Sequence, residues 1–97
     1  MKQTTFKEKF LTDEAGASAL LESLGCKLTS FYADLRPGKL VPNIVHGTFI
    51  GGGDREFEFT ASAPGYISKN AELLVRFGKI PAVPVKTEAQ FKAFAAV

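Results

Sequence analysis

Arg55-Glu56-Phe57-Glu58-Phe59-Thr60-Ala61-Ser62 decides how this chain folds. Phe57, Phe59 and Ala61 alternate with Glu56, Glu58, Thr60 and Ser62. A period of two puts the phenylalanines on one side of a strand and the polar residues on the other. Such a strand has one dry and one wet face, the mark of an antiparallel sheet covered on one side.

Upstream, Gly51-Gly52-Gly53-Asp54 interrupts an apolar run at 43–50 that starts after Pro42. Proline cannot donate to a ladder, so it suits a strand start or an edge. The glycines lead into a strand, followed at once by an acid. A phosphate loop needs main-chain donors opening into a helix, usually with a Lys and a Ser or Thr beyond. The segment therefore reads as a hairpin turn. Before it, 27–35 alternates again, with Phe31, Ala33 and Leu35 opposite Ser30, Tyr32 and Asp34. Arg36-Pro37-Gly38-Lys39 supplies a type II turn, with proline presetting φ and glycine taking its positive value. The three strands form an antiparallel meander.

Helices flank them. Thr12-Asp13-Glu14 offers an N-cap and two carboxylates for the positive end of a helix dipole. Ala17, Leu20, Leu21 and Leu24 follow at helical spacing, and Gly25 ends the helix, giving 13–24. Thr87-Glu88-Ala89-Gln90 matches the capping box of a last short helix, docked by Phe91 and Phe94. Ser68 or Asn70 can cap a helix reaching Phe77, with Ile67, Ala71, Leu74 and Val75 on one face. The alternation of Leu73, Val75 and Phe77 is the rival strand reading; helix is preferred. Pro81 and Pro84 confine any strand around Val83 to an edge. Residues 6–11 fit a strand or a helical turn equally.

This order predicts a small single-domain α+β sandwich: a three- to four-stranded meander with two or three helices packed on one face. The 97 residues allow one core. Its expected members are Leu20, Leu21, Leu24, Phe31, Leu35, Phe57, Phe59, Leu74, Phe77, Phe91 and Phe94. The single cysteine, Cys26, rules out an internal disulfide and favours a reducing, cytoplasmic setting. The N-terminal stretch lacks the apolar segment of a signal peptide, and no apolar run is long enough to span a bilayer.

Catalytic signals are weak. His46 is the only histidine, and whether Cys26 approaches it depends on the fold. One Cys and one His do not make a zinc site by spacing. Glu56 and Glu58 share a strand face, where solvation explains them better than a paired-carboxylate site. The expectation is no enzyme, no cofactor and no metal. A protein-binding module remains, a stoichiometric inhibitor or accessory factor of the size and composition seen among small proteins of phages and mobile elements. Its contact residues are read as Arg36, Lys39, Gly52, Asp54 and Arg55. A partner strand could add at an edge near Val83 and Val85, and a homodimer could form through an edge strand.

The alternative is a single-stranded nucleic-acid binder using Lys27, Tyr32, Arg36, Lys39 and Tyr66, with bases stacked on aromatic rings. Pro64-Gly65-Tyr66 and the stretch from Leu74 to Pro84 are loosely similar to the end of filamentous-phage single-strand binders. The likeness covers a minor part of the chain and includes no defining motif. A net charge of +2 is modest for such a role, and Glu56 and Glu58 have the wrong sign.

Overall fold

A computed structural model describes residues 6–34, 42–66 and 69–95. The expectations for Leu35, the Arg36-Pro37-Gly38-Lys39 turn, Ile67 and Ser68 lie outside the described residues.

Among the described residues there are five strands, two α-helices and two short 3-10 turns. The strands are β1 (Lys27–Asp34), β2 (Ile44–Ile50), β3 (Glu56–Ser62), β4 (Glu72–Phe77) and β5 (Val83–Pro84). Each pairs antiparallel with its sequence neighbour in the order β1-β2-β3-β4-β5. The α+β class holds, with more strands than the expected three or four.

The additional long strand is β4, where the sequence favoured a helix. Leu73, Val75 and Phe77 stand opposite Ala61, Phe59 and Phe57. Pairing there satisfies the second edge of β3 and buries Leu73 and Val75 completely. A helix over the same residues would leave the main chain of β3 unpaired on that side. Tertiary pairing overrides the local helical stripe.

Helix α1 runs Glu14–Ser23 and starts one residue later than the threonine suggested. Asp13 is the N-cap, its carboxylate accepting from Gly16 N at 2.8 Å. Gly25, at φ 82°, follows the Leu24 C-cap. Helix α2 spans Glu88–Ala95. Thr87 Oγ1 accepts from Gln90 N at 3.2 Å, as a capping box requires. The Gln90 side chain, however, accepts from Lys86 N at 2.7 Å, one residue before the cap.

The core fills one face of the sheet. Phe10, Phe49, Phe59 and Phe91 are its largest fully buried side chains. Phe10 comes from the 3-10 turn Lys7–Phe10 and lies 5.5 Å from the Phe59 ring and 5.6 Å from Phe91. Phe49 stacks on Phe57 at 5.4 Å and on Phe91 at 5.3 Å. Of the expected core, Leu21, Leu24, Phe57, Phe59 and Phe91 are buried, whereas Leu20, Phe31, Phe77 and Phe94 pack partly against it. Leu74 is half-buried and alternates onto the other face, opposite Thr60.

Gly47 is demanded by this packing. It stands between Phe31 and Phe59, and a Cβ there would lie 2.5 Å from the Phe59 ring and 2.7 Å from Ser30 O. The missing side chain lets Phe59 lie across β2. The β2–β3 connection is a hairpin, as expected. Its 3-10 turn Gly52–Asp54 holds Gly53 at φ 67° and Asp54 at φ 57°, and Asp is among the few residues that tolerate this region.

Candidate functional site

The strand registers generate rows of side chains across the uncovered face. One row runs Tyr32, His46, Thr60, Leu74, and the next runs Ser30, Thr48, Glu58, Arg76. Helix α2 contributes Phe91 and Phe94 to the opposite face, the turn before α1 contributes Phe10, and α1 buries Ala17 and Leu21. A shallow depression of about 420 Å³ lies over the β1, β2 and β3 members of these two rows.

Tyr32 is 60% exposed, the most exposed large apolar residue among those described. Its ring centroid lies 6.2 Å from the His46 imidazole, with the planes inclined by 34°. His46 Nδ1 is 3.1 Å from Thr60 Oγ1. A β-bulge in β1 brings three hydroxyls together on this face, with Thr29 and Ser30 each 2.6 Å from Thr48 Oγ1. An extra residue in one strand of an antiparallel pair re-aims its side chain in this way. Arg76 donates to Glu58 across the β3–β4 pair, both side chains about half exposed. An exposed pair of this kind contributes little stability.

Charge on this face leans acidic. Among the described strand residues, Asp34, Glu56, Glu58 and Glu72 share it with Lys27 and Arg76, four carboxylates to two cations.

The residues expected to bind a partner separate. Gly52, Asp54 and Arg55 lie in the β2–β3 hairpin, where Gly51 N donates to Arg55 O at 2.8 Å. That hairpin is at the sheet end opposite Asp34 and Ile44. Arg36 and Lys39 lie outside the described residues. For the nucleic-acid alternative, Lys27 begins β1 beside Ile50, five residues along the strand from Tyr32. Tyr66 is 43% exposed in the turn after β3, at the other end of the sheet. Of the described residues of that alternative, Tyr32 alone lines the depression. The edge near Val83 and Val85 is also a poor acceptor for a partner strand, since β5 has two residues, one of them Pro84. Val85 N already donates to Leu73 O at 2.8 Å.

His46 and the hydroxyl cluster were missed as site residues. His46 and Thr48 do alternate with buried Val45 and Phe49, a signal that places them on the wet face. Their meeting with Tyr32 and Ser30 needed the β1–β2 register.

Register also separates the reactive groups. Cys26 lies buried beside Lys27, which pairs with Ile50, four residues along β2 from His46. That is about 13 Å of strand, with the imidazole on the opposite face. Burial pushes the Cys26 thiol above its ordinary pKa, keeping it protonated. Asp34 pairs with Ile44, four residues along β2 from Thr48 and its Glu58 partner, and so does not join Glu56 and Glu58. Among the described residues, no three His, Cys, Asp or Glu side chains group as metal ligands. No helix among them is long and apolar enough to cross a membrane.

Comparison with protein-family models, curated proteins and solved structures finds no match to this chain.

Proposed function

We propose that the domain is a non-enzymatic protein-binding module, a stoichiometric inhibitor or accessory factor, that receives its partner on the open face of the sheet. The observation that carries this reading is Tyr32, 60% exposed beside His46 on the lining of a hydroxyl-rich depression. Tyrosine is enriched at binding hot spots because it offers a large rigid surface at small entropic cost, with a hydroxyl for the wet rim. The surrounding Ser30, Thr48, Thr60, Glu58 and Arg76 provide hydrogen-bonding groups of both kinds.

The Tyr32–His46 pair also favours a second reading, a single-stranded nucleic acid stacked on those rings. The carboxylate excess opposes it, because the phosphate backbone supplies most of the affinity in such complexes.

Capture from a lysate with and without nuclease, set beside titration of a fluorescent single-stranded oligonucleotide, separates the two. The protein reading expects a stoichiometric partner that survives nuclease and negligible oligonucleotide affinity at physiological salt. Recovery lost with nuclease, together with a steep salt dependence of oligonucleotide binding, would overturn it.

A further inference from the structure

The sheet has two unequal edges. β5 offers two residues and a proline, whereas β1 offers eight residues and, among the described residues, pairs only with β2. Which main-chain groups of β1 face outward follows from its neighbour. Ala63 N donates to Asn43 O, and Gly51 N donates to Arg55 O, both at 2.8 Å. These bonds belong to the hydrogen-bonded positions of the β2–β3 register, which runs unbroken between them. Bonding direction alternates along an antiparallel strand, so odd-numbered residues of β2 bond β3 and even-numbered ones bond β1. The β1 partners of His46 and Thr48 are Tyr32 and Ser30, and Asp34 pairs with Ile44. Those three residues spend their main-chain groups on β2. Phe31 and Ala33 aim theirs at the free edge.

We propose that this edge pairs with the same edge of a second copy, giving a two-fold homodimer whose two five-stranded sheets run on as one. The register that matches faces and free groups centres on Tyr32. Phe31 then exchanges main-chain bonds with Ala33 of the second copy, and Ala33 with its Phe31. The large side chain meets the small one twice on the inner face. The two Tyr32 residues meet on the open face as a close, non-hydrogen-bonded pair, a favourable aromatic contact across strands. In this antiparallel arrangement Lys27 of each copy lies about 10 Å along the strands from Asp34 of the other, nearer than it lies to the other Lys27. Such an interface is isologous and closes at two copies. Tyr32 then belongs both to the two-fold axis and to the open face.

Sedimentation equilibrium of the full chain over a wide concentration range tests the proposal. The expected result is a mass that doubles with concentration. Ala33→Pro, which removes an outward N–H and takes no bond from β2, remains monomeric with an unchanged circular dichroism spectrum. Should Ala33→Pro fail to fold, Tyr32→Lys sets two ammonium groups against each other at the axis and weakens association by about tenfold or more. In a Cys26→Ala background, mild oxidation should link Tyr32→Cys into a covalent dimer. Asp34→Cys should stay unlinked, because its two sulfurs would stand about 13 Å apart along the strands. A mass that stays monomeric at every concentration would overturn the proposal. So would a folded Ala33→Pro that still dimerises, or equal cross-linking at positions 32 and 34.

Discussion

The two faces of this sheet are made by the same strands in the same register, yet they obey different chemistry. On the inner face Phe49, Phe57, Phe59 and Val75 are almost wholly buried, and the three phenylalanine rings pack against Phe10, Phe91 and Phe94. On the outer face, one residue away along each strand, Tyr32, His46, Glu58 and Arg76 are exposed. The inner face carries the free energy of folding, because buried apolar area is the dominant favourable term. Exposed ion pairs and hydroxyl contacts contribute little by comparison. The outer face is therefore free to be tuned for binding without endangering the fold.

Substitutions on the two faces should separate in size accordingly. Phe59→Ala, at the centre of the inner face, should cost about 3–5 kcal/mol in urea or thermal unfolding. A loss below about 1 kcal/mol would show that this face does not hold the core. Gly47→Ala is the smaller test of the same packing. Its Cβ meets the Phe59 ring and the main chain of β1, and overpacking of this kind should cost about 1–3 kcal/mol. On the outer face, Tyr32→Ala should change monomer stability by no more than about 0.5 kcal/mol, measured by denaturation under dilute conditions. A double-mutant cycle on Glu58 and Arg76 should return a coupling of only a few tenths of a kcal/mol, about 0.2–1 at most, and less in high salt. A coupling of several kcal/mol would mean that the outer face shares in stability.

How much of this could be read from residues alone differed between the faces. Strong alternation at Phe57, Phe59 and Ala61 announced the sheet and its dry side, and the capping signals at Thr12-Asp13-Glu14 and Thr87 announced the helices. β4 was misjudged because Leu74 and Val75 satisfy a helical stripe as readily as Leu73, Val75 and Phe77 satisfy a strand. Only the unpaired edge of β3 decides between them. Phe10 escaped notice for a related reason. It sits in a single 3-10 turn, too short to show any period, and owes its burial to distant partners. The site was less accessible still. Tyr32, His46, Thr48 and Glu58 lie on three different strands, and their meeting depends on hairpin registers that composition does not encode. For a protein partner the residues chosen instead were Arg36, Lys39, Gly52, Asp54 and Arg55 of two turns, the described ones of which lie at one end of the sheet, and Tyr32 was singled out only for the nucleic-acid alternative.

The most direct test of the open face as a docking surface is quantitative capture of the nuclease-resistant partner by wild type and by the Tyr32→Ala/His46→Ala double variant, matched for folded protein. The two-face account predicts an unchanged melting temperature for the monomeric variant and a loss of capture by about tenfold or more, as expected when hot-spot contacts are truncated. Undiminished capture by a fully folded double variant would contradict it and move the binding surface elsewhere on the molecule.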